Sequence, residues 1–108
     1  MKLLSTLFVA CGLMTASLAN AADADAAQAE MKKSGCLTCH AIDKKKTASS
    51  FKDVAKKYKG KADAEDKLVK HITLKPMVEQ DGEKMPHKAL RSTDPAVAKN
   101  VVQWMLSL

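Results

Sequence analysis

Two cysteines and a histidine stand together in the segment Cys36-Leu37-Thr38-Cys39-His40. Thiols at this spacing lie on the same side of one helical turn, so they can bond to the two vinyl groups along one edge of a porphyrin. The histidine follows directly, and its imidazole is carried beneath the porphyrin centre as an axial ligand for iron. C-x-x-C-H is the attachment motif of c-type haem. The sequence therefore predicts one haem, bound covalently through Cys36 and Cys39, with His40 on the iron.

Other sites use the same residue types, and the rest of the chain argues against each of them. A Cys2His2 zinc site would need a second histidine from His71 or His87, and neither has a paired spacing. A thioredoxin-like redox motif needs a βαβ unit, whereas this sequence shows no strand periodicity. A plain structural disulfide between Cys36 and Cys39 leaves the adjacent His40 unexplained. Haem attachment uses all three side chains, so we favour it.

The N-terminus predicts export from the cytoplasm. Lys2 supplies a positive charge, residues 3–18 are mostly apolar, and Ala19–Ala21 reads A-N-A, which matches an A-x-A cleavage site. Polar residues interrupt the apolar stretch, which falls short of the ~18 apolar residues of a membrane-spanning helix. We therefore expect residues 1–21 to be a signal peptide that is removed in the periplasm, with no stable membrane insertion.

The mature domain is expected to be residues 22–108. Cleavage would remove Cys11, which follows a lipoprotein-type sequence that is fainter than the A-x-A site. The mature domain would contain only three aromatic residues, which are few for the hydrophobic core of so short a chain. We expect a haem, which is a large apolar body, to form the centre of this core.

Apolar spacing and helix-capping residues predict four short helices and an all-α fold. Residues 74–90 contain two prolines and a glycine and are predicted to be mostly loop. The predicted helices cover residues 24–34 after Asp23 or Asp25, residues 51–58 after Ser49 or Ser50, residues 63–73, and the C-terminal segment that starts at Thr93-Asp94-Pro95.

The second axial position of the iron decides the function, and several side chains can fill it. Met31 and Met105 fall within predicted helices, where a methionine at core spacing is expected to pack inward. Met85 precedes Pro86 in the predicted loop, where the backbone can present a thioether to the iron. Met77 is the main rival, and an open sixth position remains an alternative. The full set of candidates is Met31, Met77, Met85, Met105, His71 and His87.

Together these features resemble the small single-haem class I cytochromes c of bacterial periplasms. The resemblance covers essentially the whole mature domain. It implies the cytochrome c fold, in which four short helices pack around one covalently bound haem with His40 and Met85 as axial ligands. It also implies that the first and last helices cross, bringing Met31 against Trp104. The matching segments are C-L-T-C-H at 36–40, A-I-D-K-K at 41–45, F-K-D-V-A-K-K-Y at 51–58, A-E-D-K-L at 64–68, M-P at 85–86 and Q-W-M-L-S at 103–107.

The chain departs from the family pattern in three places. The family usually has a proline whose carbonyl accepts the proximal histidine N–H, and here the matching stretch is Thr47–Ser50. Met31 replaces an aromatic residue, and residues 78–82 replace a segment that often contains tryptophan. We expect another backbone carbonyl to take over the orientation of His40.

His71 stands where some family members carry an arginine or histidine that hydrogen-bonds a haem propionate. The resemblance therefore makes His71 a candidate cofactor-binding residue. A solvent-facing histidine on a lysine-rich helix accounts for the residue equally well, and both interpretations stay open.

The resemblance implies electron transfer rather than an enzyme activity. Iron with six ligands has no vacant position for a substrate, and a thioether ligand favours the ferrous state. One alternative is a haem protein with an open or displaceable sixth site, acting as a small-ligand sensor or peroxidase, for which His87 is the obvious polar distal group. Another is the cytochrome subunit of a periplasmic dehydrogenase.

The mature domain is basic. Because Lys2 is the one basic residue in the first 21, residues 22–108 hold 17 Lys and Arg against 12 Asp and Glu. Lys32–Lys33 precede the haem motif and Lys44–Lys46 follow it. These lysines either keep the protein solvated or steer periplasmic redox proteins with acidic docking surfaces to the haem edge. Nucleic acid is not an expected partner of an exported protein without a binding motif.

Overall fold

The computed structural model describes residues 21–108, and helices make up most of its regular structure. A short 3-10 turn, Cys36–Thr38, follows the first helix. The all-α class and the four predicted helices are confirmed. In chain order the elements are α1 (Ala24–Lys33), α2 (Phe51–Tyr58), α3 (Ala64–Thr73), β1 (Met77–Gln80), β2 (Glu83–Pro86) and α4 (Pro95–Leu106).

The helices begin where polar side chains satisfy the first backbone N–H groups. The side chains of Asp23, Ser50 and Asp94 each accept a hydrogen bond from the first turn of α1, α2 and α4. Asp63 precedes α3 without such a bond, and its carboxylate instead pairs with Lys67 at 2.9 Å. The predicted helix starts are therefore correct to within one residue.

The prediction that residues 74–90 are mostly loop is wrong. Strands β1 and β2 form an antiparallel hairpin in which Val78 pairs with Met85. Asp81 and Gly82 connect the strands with φ of 52° and 80°, the left-handed pair that a two-residue hairpin turn needs. Met85 consequently lies on a strand rather than in a loop.

The core forms where α4 packs against the other three helices. Helix α1 crosses α4, as the resemblance implied, and both Met31 and Trp104 are buried in the shared apolar cluster. Asn100 ties the two helices together, because its side chain bonds the backbone N–H of Asp23 at 2.8 Å and the carbonyl of Asp23 at 3.0 Å. The core thus places the end of α1, which leads into the cysteine motif, at a fixed position on α4.

Residues 21–108 contain no helix that is long and apolar enough to cross a membrane. The predicted signal peptide lies outside the described residues, apart from its last residue, Ala21.

Candidate haem site

The cysteine motif forms a tight turn directly after α1. Gly35 has φ 79°, a left-handed conformation that ends the helix and turns the chain into Cys36–Thr38. The N–H groups of Cys39 and His40 both donate to the carbonyl of Cys36, at 3.3 and 3.0 Å. Cys36 and Cys39 are both half-buried on this one turn, which is the placement that two thioether bonds to one porphyrin edge require.

The surroundings of the cysteines argue against the zinc alternative. Burial raises the pKa of the Cys36 thiol, and the nearby Glu30 carboxylate raises it further. Within residues 21–108, no three Cys, His, Asp or Glu side chains are grouped so that they could hold a metal ion.

A backbone carbonyl fixes the orientation of His40. The Nδ1 of His40 lies 2.7 Å from the carbonyl oxygen of Ser49, which only accepts, so Nδ1 carries the proton. This leaves Nε2 free with its lone pair available to iron, and a metal-bound histidine usually has such a partner on its other nitrogen. Ser49 occupies the stretch in which the family usually has a proline.

Hydrogen bonds replace the missing proline in holding the Ser49 carbonyl. On one side, the N–H of Ala48 donates to the carbonyl of Cys39 at 2.9 Å. On the other side, Ser50 is buried and caps α2 through the N–H of Asp53 at 3.1 Å. The carbonyl is therefore fixed between the cysteine turn and the start of a helix.

Phe51, the first residue of α2, supports the face of the His40 ring. The two rings are stacked, with centroids 5.0 Å apart and planes at 20°. Phe51 is buried and meets Trp104 edge-on at 6.2 Å. The sequence predicted Phe51 only as the first residue of a helix, although its position directly after the carbonyl-bearing loop was a signal for a role beside His40.

The three histidines of the chain, His40, His71 and His87, lie close together. The His87 ring centroid is 6.3 Å from that of His40 and 4.4 Å from that of His71. Burial lowers the pKa of both His71 and His87, and neighbouring histidines add to the effect. Both rings therefore favour the neutral form. The sequence analysis identified all three histidines as candidate site residues. It did not predict the hairpin that brings His87 close to the other two.

The methionine candidates fall into two groups. Met31 and Met105 are buried in the core, as expected from their helical spacing. Met77 and Met85 lie on the hairpin and are 64% and 44% exposed. Extended pairing continues beyond β2, because the N–H of His87 donates to the carbonyl of Pro76 at 2.8 Å.

The hairpin touches the cysteine motif through Gln80, whose Nε2 lies 3.8 Å from Cys39 Sγ. Residues two apart in an extended chain point to the same side. Met85 therefore lies on the same face of the hairpin as His87, whose ring centroid is 6.3 Å from that of His40.

A clasp that the sequence did not reveal holds the segment after the hairpin. Glu30 accepts hydrogen bonds from the N–H of Ser92 at 2.9 Å and from the hydroxyl of Ser34 at 3.2 Å. The Ser34 hydroxyl in turn accepts from the N–H of Arg91 at 2.9 Å. The last turn of α1, which leads into the cysteine motif, thus binds the backbone that follows the methionine and His87.

Comparison with known proteins agrees with this geometry. Residues 19–108 match the model of the cytochrome c family. The chain is 39% identical over 77 residues to cytochrome c-552 of Hydrogenobacter thermophilus, covering 71% of this chain and 76% of the relative. It is 34% identical over 90 residues to cytochrome c-551 of Pseudomonas aeruginosa, covering 83% and 84%. The crystal structure of MtoD, a class 1 cytochrome of Sideroxydans lithotrophicus ES-1, superposes with a TM-score of 0.77 at 43% identity, covering 81% of this chain and 97% of that one.

The chain belongs to the cytochrome c family, and its fold is that of a small class I cytochrome. The predicted cofactor is confirmed: one haem c is attached covalently, with Cys36 and Cys39 in the C-x-x-C-H arrangement. The predicted function, single-electron transfer with redox partners, is confirmed at the level of the family. Cytochromes of this kind are typically periplasmic.

The residues at the site fit a haem on the chain's own geometry. Two thiols lie on one turn, and the His40 imidazole has its Nε2 lone pair available. The aromatic ring of Phe51 packs on this imidazole, and the Trp104 ring packs on Phe51 in turn, so the surroundings of His40 are apolar. The haem supplies a one-electron iron couple. The protein's part is to orient the ligands and to set the polarity around the iron.

Proposed function

We propose that this protein is a periplasmic electron shuttle in which His40 and Met85 are the axial ligands of the haem iron. The observation that carries the proposal is the 2.7 Å hydrogen bond from His40 Nδ1 to the Ser49 carbonyl, which leaves Nε2 as the metal-binding nitrogen. Such a bond also raises the basicity of the imidazole and fixes its plane. Because the carbonyl is held by hydrogen bonds on both sides, the proximal ligand can keep one geometry in both oxidation states.

Met85 is the better of the two hairpin methionines for the distal position. It lies two residues before His87, whose ring centroid is 6.3 Å from that of His40, whereas Met77 pairs with Pro86 and is the more exposed. A thioether opposite an imidazole leaves no vacant position for substrate and raises the reduction potential. Electron transfer without catalysis follows from this ligand set.

His71 is proposed as a partner of a haem propionate. It lies in the last turn of α3, half-buried, with its ring against that of His87 and within the same cluster as His40. A half-buried imidazole beside the iron ligands can donate a hydrogen bond that shields part of a propionate charge. This role would use the position that arginine or histidine occupies in some relatives.

Partner recognition is proposed to use the lysines around the motif. Lys32, Lys33, Lys44 and Lys45 are exposed, whereas Lys46 donates to the carbonyl of Leu37 at 3.0 Å and has a structural part as well. Exposed positive charges favour partners with acidic docking surfaces and increase their association rate.

Export is proposed to end with cleavage after Ala21, so that the mature chain begins at Ala22. The mass of the purified protein tests this directly: it should equal residues 22–108 plus one haem, and the haem should survive acid-acetone extraction. A haem that extracts with acid-acetone would contradict attachment by two thioethers. A longer chain would instead contradict the cleavage site alone.

The axial ligands are tested by absorption spectroscopy of the ferric protein. The wild type should show the weak red-region band of a methionine–iron(III) centre, and Met85→Ala should abolish it. Met77→Ala is the matched control on the other strand and should keep the band. The reverse pattern would assign the ligand to Met77, and rapid binding of carbon monoxide by the wild-type ferrous protein would favour the sensor or peroxidase alternative.

A further inference from the structure

We propose that His87 is a second distal ligand, which binds the haem iron when the Met85 thioether leaves the sixth position. The proposal rests on the proposed function, because it takes His40 and Met85 as the resting ligands. It adds a ligand exchange that keeps the iron six-coordinate.

The first support is the spacing of the two rings. Metal–imidazole bonds are about 2.0–2.1 Å long, and the ring centre lies about 1 Å beyond the nitrogen, so two imidazoles on opposite sides of one metal have centroids roughly 6 Å apart. The His40 and His87 centroids are 6.3 Å apart. With the ring planes at 51°, the centroid separation matches that of two histidines on one iron, so His87 is near enough to bind once Met85 has left.

The second support is that His87 repeats the hydrogen bond that orients His40. Its Nδ1 lies 2.7 Å from the carbonyl oxygen of Lys88, as the Nδ1 of His40 lies 2.7 Å from that of Ser49. In both rings the proton is on Nδ1, and Nε2 is left with a free lone pair. A histidine ligand typically has this second partner.

The third support is the anchoring of the backbone around His87. The His87 N–H donates to the carbonyl of Pro76 at 2.8 Å, and the N–H of Leu90 donates to the carbonyl of Ile72 at 2.9 Å. The short segment between them is therefore held at both ends, and His71 packs on the ring at 4.4 Å. Within residues 21–108, His71 has no carbonyl partner on its ring, so His87 is the better ligand of the two.

The exchange has a consequence for the chemistry of the iron. Replacing a thioether by an imidazole removes the preference for the ferrous state, so the reduction potential falls. The sixth position also stays closed, and small ligands such as carbon monoxide would have to displace His87. Displacement of Met85 would therefore lower the reduction potential of the iron. It would not open the iron position that a peroxidase needs.

The test compares Met85→Ala with the double variants Met85→Ala/His87→Gln and Met85→Ala/His71→Gln. Electron paramagnetic resonance of the ferric proteins and carbon monoxide binding to the ferrous proteins are the readouts. Met85→Ala should be low-spin with a bis-imidazole signature and should bind carbon monoxide slowly. The His87→Gln double variant should be high-spin and bind it rapidly, whereas the His71→Gln double variant should behave like Met85→Ala. Met85→Leu, which keeps the side-chain volume, replaces Met85→Ala if the latter does not retain haem.

The possible results separate the inference from the proposed function. High-spin Met85→Ala, with the methionine band present in the wild type, would overturn the role of His87 and leave the proposed function intact. A low-spin iron that persists without His87, or that is lost only without His71, would also overturn it. A wild type that lacks the methionine band and already has the bis-imidazole signature would overturn both the Met85 assignment and the exchange.

Discussion

Glu30 accepts a hydrogen bond from the backbone N–H of Ser92 at 2.9 Å, although the two residues are 62 positions apart. The same carboxylate oxygen accepts from the Ser34 hydroxyl, which in turn holds the N–H of Arg91. The bond joins the helix that leads into the cysteine motif to the segment that follows the hairpin, on which the proposed distal ligand Met85 lies. The two sides of the haem site are thereby tied together at one end.

Removal of this carboxylate should destabilise the protein. Hydrogen bonds to charged groups contribute about 1.5–3 kcal/mol when they are protected from water. The Glu30 site is only partly buried, so we expect Glu30→Ala to lower the free energy of unfolding by about 1–2 kcal/mol. Denaturant unfolding of the haem-loaded protein measures the change. Asp66→Ala is the control, because its exposed pair with Lys70 at 3.0 Å should contribute less than about 0.5 kcal/mol. Equal losses in the two variants would show that the clasp adds no stability.

Ser50→Ala should affect both stability and the proximal ligand. The lost cap of α2 should cost about 1 kcal/mol. The Ser49 carbonyl should also hold His40 less firmly, so that the imidazole donates less charge to the iron and the reduction potential rises.

Asp94→Ala removes the comparable cap of α4 and serves as the control for Ser50→Ala. It should lower stability by a similar amount and change the potential little, since Asp94 makes no contact with the His40 loop. A potential that rises equally in both variants would mean that general destabilisation, rather than the His40 hydrogen bond, is responsible.

The lysine hypothesis predicts an ionic-strength effect on partner exchange. Replacing Lys32, Lys33, Lys44 and Lys45 by glutamine should slow bimolecular electron transfer at low salt. It should also flatten the salt dependence, because exposed charges are screened beyond a Debye length of ~10 Å at 0.1 M. Lys46 is left unchanged because it bonds the Leu37 carbonyl.

Stopped-flow kinetics with an acidic redox partner measures the rates, and two other lysines provide the control. Lys67 and Lys70 are exposed on α3 and already paired with aspartates, so their replacement by glutamine should have a smaller effect per charge. The same decrease per charge in both sets would favour a general effect of net charge over a docking surface.

His71→Ala should lower the reduction potential if His71 donates to a propionate. Without the hydrogen bond, more of the propionate's negative charge acts on the iron and stabilises the ferric state. Thr73→Ala is the control on the same turn of α3, because Thr73 is exposed and bonds only the carbonyl of Val69 among residues 21–108. Identical potentials for His71→Ala and the wild type would remove His71 from the cofactor-binding residues.

Much of the fold could be predicted because its signals are local. Helix α2 was placed at its observed ends, since Ser50 caps it and its apolar residues recur at helical spacing. The hairpin was missed, although Asp81-Gly82 is the favoured pair for its turn. Its strands are short and largely exposed, so they lack the alternating apolar pattern that identifies a strand, and the nearby prolines favoured a loop.

The chemistry of the chain was determined by the sequence alone. The spacing of Cys36, Cys39 and His40 is a covalent property of the chain, and it specifies haem attachment whatever the surrounding fold. The sequence did not, however, determine which carbonyl accepts the hydrogen bond from His40 Nδ1. Without a proline, any carbonyl of the following loop could accept the Nδ1 proton, and only the folded loop shows that Ser49 does so at 2.7 Å.

The tertiary structure also decided which distant residues meet. The Glu30–Ser92 bond and the grouping of His40 with His87 join segments with no common sequence pattern. They arise because α1 and α4 cross and because the hairpin carries residues 77–87 back toward the cysteine turn. Long-range contacts of this kind depend on the packing of whole elements, since a residue's own sequence neighbours do not specify which remote backbone will lie beside it.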